Sequence, residues 1–313
     1  MPGGLRKKTP RTPSNNPCAL NALTFLLTSL ARLPFRALYV LSDCIGFLLY
    51  HVVRYRRRMV RRNLTSAYPT KPKKDIKRIE RRFYRFFCDY VVETVKLLHI
   101  SEEEVRRRFR FTNMELIDQL SRDGKPLFVY LGHYGNWEYF ASFPLWAPGR
   151  ITTCHVYHAL TNQAMDKLMI RLRDRFSSIG MPQNETYHTL LRLIDEGHQP
   201  LIGLIADQRP LMKHSTVWTD FLRQPTALIT GSERIGVRLG ANFLYGELEV
   251  VSRGHYTVTF RQIFPDENEP FSLTKQYMHL LQQTIDRAPQ YYLWSHNRWK
   301  YRPNAEGKPE LNV

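Results

Sequence analysis

The stretch that decides the fold is Pro126-Leu127-Phe128-Val129-Tyr130-Leu131-Gly132-His133-Tyr134-Gly135-Asn136-Trp137-Glu138. Its first half, Pro126–Gly132, is a short apolar run bounded by turn signals and reads as a buried strand. A histidine follows at once, with glycine before it and Gly135 two positions on, and a glutamate stands five places further along. In open α/β sheets, sites collect just beyond the carboxyl ends of strands. The stretch is therefore expected to hold both a central strand and a candidate site.

Outward from it, Leu201–Ala206 repeats the pattern of an apolar strand, and Phe243–Val251 and His255–Phe260 read as later strands. Helical periodicity marks Asn162–Phe176, Tyr187–Glu196, Thr230–Arg238 and Ser272–Asp286. Strands alternating with helices predict an α/β fold, with a mixed, mainly parallel sheet flanked by helices. Upstream, residues 73–98 read as one amphipathic helix. Ile76, Ile79, Phe83, Phe86, Phe87, Tyr90, Val91 and Leu97 recur at helical spacing between Lys and Arg.

The N-terminal third differs in kind. Residues 1–110 carry 25 Lys/Arg against 8 Asp/Glu, whereas residues 111–313 carry 21 against 20. Nearly all of the formal charge of +18 therefore sits at one end, which points to an acidic partner there: membrane, nucleic acid or acidic protein. Two apolar pieces, Ala19–Leu30 and Ala37–Val53, are separated by Arg32, Pro34 and Arg36 and run into Arg54, Arg56, Arg57, Arg58, Arg61 and Arg62. A spanning helix needs about 20 predominantly apolar residues. The pieces therefore read as a membrane-embedded hairpin or interfacial helix pair in preference to a single span, with the arginines facing anionic lipid. The expected division is a disordered basic arm at 1–17, membrane-associating helices with a basic flank at 18–62, a catalytic domain at 63–303 and a tail at 304–313.

The chemistry expected of His133 is general-base catalysis. A hydroxyl is a poor nucleophile near neutral pH, while imidazole, with a reference pKa of about 6.5, can accept its proton. Glu138 is expected to fix the tautomer and stabilise the imidazolium, as the acid does in a Ser-His-Asp triad. Five residues span about 140° on a regular helix, so the pair must wrap a turn, which Gly135 permits. The chain has no Gly-x-Ser-x-Gly elbow, consistent with direct attack by the acceptor hydroxyl on an activated thioester. Cys154, His155 and His158 look superficially like metal ligands, but no further ligand lies near them in sequence, so no metal is expected. The four cysteines lie far apart and read as reduced thiols.

Gly-His-Tyr-Gly-Asn-Trp-Glu at 132–138 resembles the catalytic block of the lysophospholipid acyltransferase superfamily, whose signature is His-x4-Asp or His-x4-Glu. Its bacterial lipid A lauroyl/myristoyl acyltransferase branch is the most similar. Further resemblances follow in the same order: His155–Phe176 with its Arg-rich helix, Ala206-Asp207-Gln208 after a strand, and Leu293–Lys300 with a Trp-x-His-x-Arg-x-Lys pattern. Two features depart from the branch. His158 stands where Arg or Lys is usual, and Arg209-Pro210-Leu211 replaces a Gly-rich continuation.

The resemblance implies a glycerol-3-phosphate-acyltransferase-like fold behind a membrane-associating segment. It also implies transfer from an acyl thioester to a hydroxyl of a Kdo-lipid IVA type precursor at the cytoplasmic face of the inner membrane. Acyl-carrier protein is the implied donor, with coenzyme A as the alternative, and no cofactor is required. Arg171 and Arg175, four apart on one helix face, are expected to bind the anionic acceptor. Asp207 and Gln208 are expected either to bind acceptor or to support the His loop. His296, Arg298 and Lys300 touch substrate or form a basic surface. The competing readings are transfer to another lipid acceptor (an aminoacyl lipid or lysophospholipid), a nucleic-acid binder and an inert membrane protein. No nucleic-acid reading motif is present.

Overall fold

The computed structural model describes residues 17–157 and 162–312; the basic arm and His158 of the sequence reading lie outside the described residues. The chain opens with α1 (Pro17–Arg32) and α2 (Phe35–Phe47), which continues as a π-helical turn through Leu48–Val53. Next come α3 (Arg57–Ala67) and α4 (Lys73–Lys96), the predicted amphipathic helix. Ile76, Ile79, Phe83 and Phe86 of α4 are buried, while the lysines and arginines between them face solvent. Among the described residues, Phe35–Val53 is the one helix long and apolar enough to cross a membrane, with a mean hydropathy of 1.4.

The rest alternates as expected, with seven strands among the described residues that the sequence reading did not find, three of them in the central sheet. α5 (Glu102–Arg108), capped by Ser101, leads into β1 (Phe109–Thr112), α6 (Met114–Leu120) and β2 (Leu127–Leu131). A 3-10 segment, Trp137–Leu145, precedes β3 (Ile151–Tyr157), α7 (Gln163–Asp174), β4 (Ile179–Pro182), α8 (Thr186–Asp195) and β5 (Gln199–Ile205). The hairpin β6 (Trp218–Phe221) and β7 (Gln224–Ala227) is followed by α9 (Gly231–Arg238), β8 (Asn242–Ser252), β9 (His255–Ile263) and α10 (Ser272–Arg287). β10 (Tyr301–Pro303) pairs with β11 (Pro309–Leu311), so the expected tail folds back as a hairpin. Trp218 Nε1 donates to Gly307 O at 3.0 Å and fastens it.

Among the described residues the central sheet has seven strands in the order β1-β9-β8-β2-β5-β3-β4. β8, β2, β5, β3 and β4 run parallel; β9 runs antiparallel to β8 and carries β1 alongside it. This is the predicted mixed, mainly parallel sheet. Every residue of β2 is buried, as a strand covered on both faces requires. On one face Tyr130 stacks on Tyr277 of α10 with ring centres 4.7 Å apart. The other face carries the 3-10 segment, where Phe140 lies so close to Gly203 of β5 that a Cβ there would fall 2.9 Å from its ring. The chain leaves β5 on one side of β2 and re-enters the sheet as β8 on the other, so β2 sits at a topological switch point.

Candidate active site

β2 and β5 pair in parallel with Leu131 opposite Ile205. His133 and Asp207 each stand two residues beyond that pair, so strand register alone brings them together. His133 Nδ1 lies 2.6 Å from Asp207 Oδ1, and the His133 amide donates to Asp207 Oδ2 at 3.1 Å. A carboxylate only accepts, so Nδ1 carries the hydrogen and Nε2 keeps its lone pair. The Gln208 side-chain amide donates to that Nε2 at 3.0 Å. Of the two expectations for Asp207 and Gln208, the geometry matches support of the histidine. Burial alone would raise the Asp207 carboxyl; the imidazole, its two hydrogen bonds and the nearby Arg298 guanidinium hold it below the ordinary carboxylate range.

The partner expected for His133 was Glu138, and here the structure differs. Both Glu138 oxygens are engaged by Arg173 of α7: Nε donates to Oε2 at 3.0 Å and Nη2 to Oε1 at 2.9 Å. Oε1 also accepts the Trp137 indole N–H at 3.1 Å. The chain turns through Gly135 at φ +60 into a 3-10 segment, and this carries Glu138 away from the imidazole toward α7. Glu138 reaches His133 only at one remove. Trp137, whose indole it holds, packs edge-on against the imidazole at 4.8 Å and stacks on Tyr90 at 4.3 Å.

Arg171 and Arg175 also fall differently from expectation. Arg171 is exposed, and Arg175 donates to Leu97 O and Ile100 O, closing the end of α4. Arg173 faces the site instead. Leu168 and Leu172 mark the buried stripe of α7, and positions 171 and 173 flank it on opposite sides. Helix periodicity cannot choose between the two flanks. Cys154 and His155 are consecutive on β3 and point to opposite faces of the sheet, which prevents joint ligation. Burial and the Arg173 charge push the His155 imidazole down to about 4.

Three other groups brace the loop. Leu293 N donates to His133 O and Gly135 N to Tyr291 O, each at 3.0 Å. Asn63 of α3 donates to both Trp294 O and His296 O at 2.9 Å. The Asn136 amide donates at 3.0 Å to Glu93 of α4, a fully buried carboxylate that also accepts from Tyr256 at 2.6 Å and Tyr39 at 2.9 Å. His296 lies near His133, with Nε2 accepting the Arg209 amide at 3.4 Å, and burial depresses it to about 4. Arg298 is internal and donates to Ala227 O, while Lys300 lies over the Tyr301 ring. The basic C-terminal surface of the sequence reading is thus split between core and exterior.

A model of the family described as bacterial lipid A biosynthesis acyltransferase matches residues 18–301. The chain belongs to this family. A lipid A biosynthesis palmitoleoyltransferase of Escherichia coli strain K12 is 22% identical over 280 residues, which cover 88% of this chain and 89% of that protein. A lipid A biosynthesis acyltransferase of Shigella flexneri matches with the same identity and coverage. The chain is accordingly an acyltransferase of lipid A biosynthesis. Within this acyltransferase, the match spans α1 to the start of β10 and includes the His133–Asp207 pair, the Glu138–Arg173 pair and the segment Leu293–Lys300.

Proposed function

We propose that this acyltransferase moves a fatty acyl chain from acyl-carrier protein to a hydroxyl of a Kdo-lipid IVA type precursor, at the cytoplasmic face of the inner membrane. The observation that carries the chemistry is the His133–Asp207 pair, with the Nε2 lone pair covered only by a neutral amide. The acceptor hydroxyl replaces Gln208 at Nε2 and gives up its proton as its oxygen attacks the thioester carbonyl. The new C–O bond forms, the C–S bond breaks on collapse, and the departing thiolate takes the proton from Nε2. Asp207 holds the tautomer and stabilises the transient imidazolium. Glu138 and Arg173 act as positioning residues: they fix the Trp137 indole against which the imidazole rests.

The membrane location rests on the apolar helix Phe35–Val53, whose Val40, Phe47, Leu48, Val52 and Val53 are exposed next to the arginines of α3. The carrier-protein donor rests on the family and on the basic N-terminal third. Mass spectrometry of lipids from a strain lacking the gene tests the acceptor: a missing secondary acyl chain on lipid A is expected, and unchanged lipid A would sink the reading. Purified His133→Ala and Asp207→Ala should each lose about 10²–10⁴ in transfer rate while folding normally. Turnover near wild type in either would remove the mechanism. Comparing acyl-carrier-protein and coenzyme A thioesters of one chain length tests the donor. A kcat/KM that is equal or higher for coenzyme A argues against the carrier.

A further inference from the structure

The turn between the apolar helix and α3 forms an open concavity whose lining does not include His133. It encloses about 970 Å³ and is lined by Arg54, Arg56, Arg57, Arg58, Arg61 and Arg62, together with Met59. Arg54 and Arg56 adopt left-handed backbone, at φ 55 and φ 48, which folds the arginines of the turn over those of the helix. Six guanidinium groups share one carboxylate, the buried Glu80, which pairs with Arg57 and Arg61 at 2.9 Å. Arg56 and Arg62 bond only to neutral oxygens, Ser295 O and Asn297 Oδ1. The Arg54 and Arg58 side chains are exposed and make no hydrogen bond or ion pair among the described residues. A concave cluster of like charges with so little internal compensation selects for a bound anion.

Two neighbours identify the kind of anion. The exposed apolar residues Phe47, Leu48, Val52 and Val53 run directly into Arg54, so the groove adjoins a lipid-facing strip. On its other side, Arg56, Arg62 and Asn63 hold the segment Trp294–Asn297, whose His296 sits near His133. Groove and catalytic site therefore share a wall. A ligand with an anionic head and apolar tails meets all three features. The other cationic face, on α4 at Lys74, Arg78, Arg81 and Arg82, includes Asp75, paired with Arg78 at 3.1 Å, and suits an acidic protein surface instead.

We propose that this arginine groove is a headgroup site for a phosphorylated lipid, the acceptor of the reaction. The identification as acceptor rests on the function proposed above; the lipid-phosphate site does not. The test is a titration of the full chain in neutral detergent with dihexanoyl phosphatidic acid, using dihexanoyl phosphatidylcholine and inorganic phosphate as comparators. The wild type should bind phosphatidic acid at least tenfold more tightly than either comparator. Arg54→Gln/Arg58→Gln should erase that preference, because these side chains hold nothing else in place. Lys73→Gln/Lys77→Gln, which removes the same charge from α4 outside the groove, should keep it. Equal binding of all three ligands would overturn the proposal, as would equal loss in both double variants, which marks diffuse charge attraction. Retained phosphatidic acid binding beside unaltered lipid A in the deletion strain would sink the proposed acceptor and leave the groove standing.

Discussion

Glu93 is a fully buried carboxylate whose three partners are all neutral donors, and burial lifts its pKa from the ordinary 4.5 to about 7. Facing it are Tyr39 of α2, Tyr256 of β9 and Asn136 of the catalytic loop, with Asp89 earlier on its own helix. The unfolded chain releases this proton near 4.5, and the native chain holds it to about 7. Between those values the native state binds more protons, so stability falls as pH rises. The shift is about 2.5 units at 1.36 kcal/mol each, so ionised Glu93 costs about 3 kcal/mol at pH 8 relative to pH 4.

Glu93→Gln removes the titration while keeping the shape, since the buried, unpartnered Asn136 Oδ1 can turn to accept from the new amide. Asp207, His155 and His296 have depressed values and lose stability in the opposite sense, as pH falls. Subtracting variant from wild type cancels them. For a chain of this size about 3 kcal/mol corresponds to roughly 5 °C or more in the thermal midpoint. In non-ionic detergent at a fixed scan rate, the variant should gain most of that on the wild type between pH 5 and pH 8. A difference that stays constant across this range refutes the reasoning.

Asp207→Asn keeps an acceptor for Nδ1 but removes the charge that stabilises the imidazolium and the acceptor for the His133 amide; the thermal midpoint should drop, and kcat in a micellar transfer assay should fall by about 10²–10⁴ at a temperature where the variant is still folded. Arg173→Gln leaves the buried Glu138 carboxylate without its counter-ion and should destabilise by about 3 kcal/mol, read as the shift in thermal midpoint. Gly135→Ala meets both the positive φ and a collision of its Cβ with Leu248 Cδ2, and should cost about 1–3 kcal/mol and lower kcat by displacing His133. Vesicle binding of the full chain should weaken with added salt, most steeply for anionic lipid, because Arg58 and Arg62 of α3 and Arg54 before it are exposed to solvent ions.

The sequence exposes what is periodic or local. The buried run Leu127–Leu131 and the alternation along β8 carry their own signal, and His133 announces itself by standing at a strand end between glycines. β1, β3 and β4 are short or interrupted by polar residues, so apolar runs do not reveal them. The partner of His133 differs from the expected one for a physical reason. Local spacing favours Glu138, whereas Asp207 is brought in by parallel register across 74 residues. A signal for it did exist: Ala206-Asp207 closes a second apolar strand just as Gly132-His133 closes the first. Nothing along α7 distinguishes Arg173 from Arg171, and nothing local ties Glu93 to Asn136.

Asn63 holds the main chain of residues 294 and 296, so the wall of the site is stitched together by segments 231 residues apart along the chain. That has a bearing on synthesis. When β5 leaves the ribosome, His133 and Asp207 can already meet, but β2 lacks β8 and the enclosing segment is still tens of residues away. A chain stopped after α10 would carry the base without its wall, and is expected to be rapidly proteolysed. Pulse-labelling of such a stopped chain would show whether cellular quality control reads this closure.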